Sequence, residues 1–259
     1  MGFELVVLLI VAGLFLGVLA SIEVGRRLGL ARLVRDPQGL AKGVGAAEGA
    51  VFALLGLMLA FAFSGAASKF EDRRFLITDE ANAIGTAWLR LDLLPADAQP
   101  ELRTLFRRYV DLRLAVYTNV EDEAATLAKL QEGAALQGQI WSLAVAAGAR
   151  PEARQPATML LLPALNEMID ITATRTAAAR NHPPLAVFLL LGTLALAGSL
   201  LVGYNVAVNP GRSWIHSLSY AAAIALSVYV ILDLEYPRLG LIRIDKADQL
   251  LVDVRRSMD

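Results

Sequence analysis

The sequence predicts an all-α membrane protein in which two transmembrane helical hairpins flank a helical extramembrane domain. Three observations predict it. Four apolar stretches free of acidic and basic residues (5–22, 49–68, 183–211 and 213–232) are each close to the ~20 residues a helix needs to cross a bilayer, or longer. The chain is 56% hydrophobic, above the roughly 45–50% of a soluble domain. The polar segment between the two pairs repeats its apolar residues at helical spacing, with minimal strand signal. The resulting order is a transmembrane hairpin at 1–68, a helical domain at 69–182, a second hairpin at 183–232 and a polar tail at 233–259.

The first transmembrane helix covers about 4–23. Its leader, Met1-Gly2-Phe3-Glu4, lacks the basic residues of a signal peptide, so the helix is expected to be retained. An arginine-rich loop follows, with Pro37-Gln38-Gly39 as a breaker. The second transmembrane helix covers about 46–68, and no Gly or Pro stops it before about Leu94. In that extension Ile84, Trp88 and Leu91 recur at helical spacing, and Pro95 ends it. A helix after Pro100 places Leu102, Leu105, Phe106, Tyr109 and Leu112 on one face. Glu121-Asp122-Glu123 puts acid at the positive end of the next helix, whose apolar side is Leu127, Leu130, Ala134 and Trp141. A fourth helix, about 157–181, carries Pro163 near its start. The third and fourth transmembrane helices cover about 185–207 and 214–232, joined by an Asn209-Pro210-Gly211 turn. The tail includes an extended-looking piece, Leu241-Ile242-Arg243-Ile244.

Composition removes several function classes. A net charge of −1 and the lack of a basic block give no reason to expect nucleic acid as a partner. The chain has no cysteine, which excludes disulfides, thiolate metal sites and cysteine nucleophiles. There is no G-x-S-x-G, H-E-x-x-H or P-loop pattern, and the two histidines, His182 and His216, are far apart in sequence. No enzyme activity, cofactor or metal is expected.

Charge near the membrane sets orientation through basic residues. The first loop, read alone, favours an outside N-terminus. Summed over all flanks, ten basic residues on the side of the helical domain and tail face six on the other. The sum favours both termini and the helical domain in the cytoplasm.

Small-residue faces allow close helix approach. Gly13 and Gly17, Gly45 and Gly49, and Ala195, Ser199 and Gly203 form such faces, for packing within the chain or between subunits. Ionisable residues at membrane depth invite a functional reading. Glu23 and Glu48 lie at one end of the first two spans, within reach of Arg26 or Arg27; Glu48 is also a candidate pore-mouth charge. Asp233 and Glu235 close the last span, where acid opposes the helix dipole and calls for partners such as Arg73 or Arg74. Glu80, Asn82 and Arg90 are the clustered polar residues of the middle domain. With Asp233 and Glu235 they form a candidate structural polar network. In the second span Leu55, Leu59 and Phe63 recur every four residues among Gly and Ala. Such a stripe suits core or lipid contact, or the apolar neck of a pore that gates by dewetting.

These segments resemble bestrophins. Their second span ends in an apolar stripe, then F-R-N-x-A-S-Y-x-R-F-x-E-A-R. Ala62-Phe63-Ser64-Gly65-Ala66-Ala67-Ser68-Lys69-Phe70-Glu71-Asp72-Arg73 is similar to that pattern. After the last span, Leu232-Asp233-Leu234-Glu235-Tyr236-Pro237-Arg238-Leu239-Gly240 resembles their E-x-E-x-P-F-G. The bacterial bestrophin-like family of unknown function is closer, on Glu80-Ala81-Asn82-Ala83-Ile84-Gly85, Leu89-Arg90-Leu91-Asp92-Leu93-Leu94-Pro95 and Tyr109-Val110-Asp111-Leu112-Arg113. The resemblance implies a homopentameric ion channel with a neck of Leu55, Leu59 and Phe63, cytoplasmic termini, and membrane lipid, permeant ions and its own copies as partners. Ser64 replaces an arginine of the pattern, Arg238 a phenylalanine, and Asp245, Asp248 and Asp253 are scattered. The resemblance therefore carries neither calcium gating nor anion preference onto this chain. A non-conducting membrane scaffold that binds a partner is the alternative. An enzyme acting on a lipid-soluble substrate through Glu80, Asn82 and Arg90 is a further one.

Overall fold

The computed structural model describes residues 2–35, 45–117, 123–153, 155–207 and 214–259. Among them there is no strand. The helices are α1 (Phe3–Arg35), α2 (Gly45–Arg90), α3 (Gln99–Val116), α4 (Glu123–Gly148), α5 (Gln155–Arg180), α6 (Leu185–Val206), α7 (Trp214–Glu235) and α8 (Gln249–Arg256). Short 3-10 turns occupy Leu91–Leu93 and Asp245–Asp248. The all-α class and the four membrane-crossing helices stand as the sequence predicts. Pro37-Gln38-Gly39, Glu121-Asp122 and Asn209-Pro210-Gly211 lie outside the described residues.

Two elements differ from expectation. Helix α1 runs twelve residues beyond Glu23: no Pro interrupts the run up to Arg35, and its two glycines, Gly25 and Gly29, pack against α6. The tail piece at 241–244 forms no strand. The α-helix of the tail is α8, whose Leu251 is fully buried and is followed by a buried Met258.

The chain divides into two compact units, residues 1–68 with 182–236, and residues 69–181 with 237–259. In the membrane unit α1 packs on α6 through glycine. A Cβ on Gly25 would overlap the Leu200 carbonyl oxygen, and one on Gly203 would overlap the Ile22 carbonyl. Gly29 sits as tightly against Tyr204 and Ala207. Small residues let two backbones approach in this way where no water drives association. Gly13 has open space around it, and Gly17 meets only the end of the Leu196 side chain. Val18, Ile22, Leu55, Ala195, Ala221 and Ile224 form the central cluster of this unit.

The second unit has a conventional apolar core. Ile77, Ile84 and Leu91 of α2 and its 3-10 extension meet Phe106, Ile140, Leu165 and Met168 from three other helices. Burying each such side chain contributes on the order of 1.5–3 kcal/mol. Trp88 lies under the guanidinium groups of Arg103 and Arg107, 4.4 and 5.2 Å from its ring centroid. Arg107 also donates to the Met258 carbonyl at 2.6 and 2.9 Å, which holds the chain end against α3.

Candidate functional site

Helix α2 is the least covered of the four apolar helices. Its inward side is Phe52, Leu55, Leu59, Ala62 and Ala66, of which Leu55 and Ala66 are buried. An α-helix turns about 100° per residue, so a four-residue step over-rotates by about 40°. The stripe Leu55, Leu59, Phe63 therefore winds off the bundle as it descends. Leu55 is 3% exposed among α1, α6 and α7 side chains, Leu59 is half-buried, and Phe63 is 48% exposed. The three do not share one free face. Ala53, Gly56, Leu57, Ala60, Phe63 and Ser64, every one exposed, form one side of the open surface of α2, which continues through exposed Leu54 and Phe61.

That face differs from the exposed sides of α1 and α6, whereas α7 likewise exposes Ser219, Ala222, Ala223 and Ser227. On α1 the exposed side carries Leu5, Leu8, Leu9, Ile10 and Leu16, and on α6 Leu185, Leu189, Leu190 and Leu196. Bulky aliphatics suit acyl chains. A face of Ala, Gly and Ser with two large side chains suits the close approach of another helix or of water.

Carboxylates of the membrane unit lie against neighbouring side chains. Glu23 accepts from Arg26 at 3.1 Å and Arg27 at 2.9 Å. Glu48 accepts from the Asn205 amide of α6, a partner absent from the sequence-level reading. At the far end of α7, Asp233 and Glu235 are both buried. His182 Nδ1 lies 3.4 Å from Glu235, with its ring stacked on Tyr236 at 4.4 Å. His216 is exposed in the first turn of α7.

In the second unit Glu80, Asn82 and Arg90 separate. Glu80 is fully buried: Arg113 donates to one carboxylate oxygen at 2.5 Å and Arg175 to the other. Asn82 is exposed. Arg90 donates to the Leu160 carbonyl at 2.6 Å. Arg74 pairs with Glu71 at 2.8 Å, and Arg73 donates to the Ala178 and Asn181 carbonyls at 3.1 Å.

The Glu80 group extends into the tail. Arg113 donates to the Tyr117 hydroxyl at 2.6 Å. The Arg175 and Arg238 guanidinium groups lie 4.2 and 4.3 Å from the Tyr117 ring centroid. Arg238 makes a bidentate pair with Asp248 at 2.7 and 3.0 Å. Charges thus alternate through Arg113, Glu80, Arg175, Asp248 and Arg238. Burial, and then the neighbouring Arg238, lower the Arg175 guanidinium to about 9, which leaves it charged at neutral pH. Burial also raises the Tyr117 phenol, so it stays protonated. This arrangement is an electrostatic clamp; its polar groups are engaged with one another. No group of three metal-ligating His, Asp or Glu side chains occurs among the described residues.

The family model for the bestrophin-like domain matches residues 11–249. A crystal structure of a point mutant of a bacterial bestrophin homologue from Klebsiella pneumoniae superposes with a TM-score of 0.67 at 15% identity, covering 95% of this chain and 98% of that one. A second structure of that bacterial homologue gives a TM-score of 0.65 at 12% identity, covering 93% and 98%. No functionally curated protein matches the sequence.

Proposed function

The chain belongs to the bestrophin-like family, and on that premise we propose that it forms a homopentameric ion channel of the bacterial inner membrane. Ions permeate passively, and the termini face the cytoplasm. The open face of α2 lines the pore, with Leu57 and Phe63 as its constricting side chains and Ala53, Gly56, Ala60 and Ser64 between them. The observation that carries the reading is the composition of this face: it stays exposed through the span with Leu57 as its one leucine, where α1 and α6 each expose several. An apolar constriction conducts only when it is wide enough to stay hydrated. Widening it raises conductance, and no tight ligand cage is needed. Leu55 supports the pore helix from behind, and Leu59 lies at the margin.

The chain has no cysteine, so single cysteines can be placed on a clean background. Leu57→Cys, Ala60→Cys and Phe63→Cys in liposomes should react with a charged, water-soluble thiol reagent and lose ion flux on reaction. Leu55→Cys should be protected. Equal protection at all four positions would return the exposed face to lipid and support the scaffold reading.

A further inference from the structure

Helix α1 outruns its neighbour. Gly29 lies against Tyr204 and Ala207, where α6 ends at Val206. Residues 30–35 continue for about 9 Å more at 1.5 Å per residue. From residue 23 to 35 the helix carries Arg26, Arg27, Arg32 and Arg35 against the single acid Glu23. Arg26 and Arg27 share that carboxylate, yet the Arg27 side chain remains 75% exposed. Interleaved with the arginines are exposed Val24, Leu28, Leu30 and Val34, the last at 86%.

Exposed Leu and Val beside exposed Arg make a poor surface for bulk water and a good one for the boundary of a bilayer. Arginine stems lie along acyl chains while their heads reach the phosphates. The guanidinium fork matches a phosphate better than an ammonium does. Trp214, exposed at the start of α7 at this same end of the unit, is a residue type that settles at the headgroup level.

We propose that the last three turns of α1 form a binding surface for anionic phospholipid. The lipid phosphate engages Arg32 and Arg35, which share a helix face with Leu28, and Arg27 adds its charge at the edge of that face, while an acyl chain lies along Val24 and Leu28. The ligand is a lipid because the arginines share this face with apolar side chains; a free anion would have no use for Val24 and Leu28.

Full-length protein in detergent is titrated with phosphatidylglycerol or phosphatidylcholine, and bound lipid is read by native mass spectrometry. The expected result is a preference for phosphatidylglycerol that falls on the order of 10- to 100-fold in Arg27→Gln/Arg32→Gln/Arg35→Gln, as three surface charges imply, and weakens in high salt. Arg35→Gln alone, at a site without packing duties, should lose about fivefold and covers the case in which the triple variant fails to fold. An unchanged preference in either variant overturns the proposal, as does equal binding of the two lipids. Competition by inorganic phosphate as strong as that by phosphatidylglycerol also overturns it and points to a free anion.

Discussion

Glu80 concentrates the electrostatics of the helical domain. It satisfies two buried guanidinium groups, so removing its charge strands both. Glu80→Gln should cost roughly 3–5 kcal/mol, the usual result of breaking a buried pair from one side, as read by thermal or denaturant unfolding in detergent. Asn82→Ala, two residues away and exposed, should stay within about 0.5 kcal/mol. Part of this was legible in the sequence: Glu80 falls in helical register with Ile77, Ile84 and Ala87, the apolar phase of α2. Its partners were not. Arg113 and Arg175 are 33 and 95 residues away, and each is also a charge on an otherwise apolar helix face. A search for charges in apolar phase would have drawn all three together, without saying which pairs meet. Arg90 shows the opposite case: its neighbour in sequence suggested a polar cluster, while its hydrogen bond goes to a backbone carbonyl of α5.

Helices were more legible than the contacts between them. Length, hydropathy and breakers point to seven of the helices; they end α1 twelve residues early and give no sign of α8. The glycine pairs illustrate the limit. Gly13–Gly17 and Gly25–Gly29 carry the same spacing on α1, and only the second lies opposite Gly203. That complementarity belongs to two helices and cannot be read from one. Gly25→Ala or Gly203→Ala must push backbones apart and should destabilise the membrane unit by about 1–3 kcal/mol, whereas Gly13→Ala should leave its melting temperature unchanged. Along the α2 stripe Leu55 packs inside the unit while Phe63 is exposed, a difference set by which side of α2 its neighbours cover. Leu55→Ala should therefore cost about 2–5 kcal/mol as a core truncation. Helix α8 has its own pH signature. Arg255 bonds Asp259 and holds its carboxyl below the ordinary range. That contribution is present above the ordinary carboxylate pKa and is lost as pH falls through the depressed value. Hydrogen-exchange protection over residues 249–256, taken relative to the intrinsic rate at each pH, should fall on acidification through that window, and Arg255→Gln should remove the dependence.

At the scale of the molecule, a 259-residue chain with family coverage over residues 11–249 carries the bestrophin-like fold at 12–15% identity to the bacterial homologue structures. The class of the fold was written in hydropathy and helix spacing, which survive extensive substitution. The open face of α2 was only partly written there, because exposure depends on which side of α2 the other three helices claim. The most direct test of conduction is ion flux from proteoliposomes, normalised to inserted protein, for the wild type, Leu57→Ala and Leu55→Ala. The account predicts flux above empty liposomes for the wild type, more for Leu57→Ala, and wild-type flux per folded channel for Leu55→Ala. Silence from all three, with the protein folded and inserted, would contradict it.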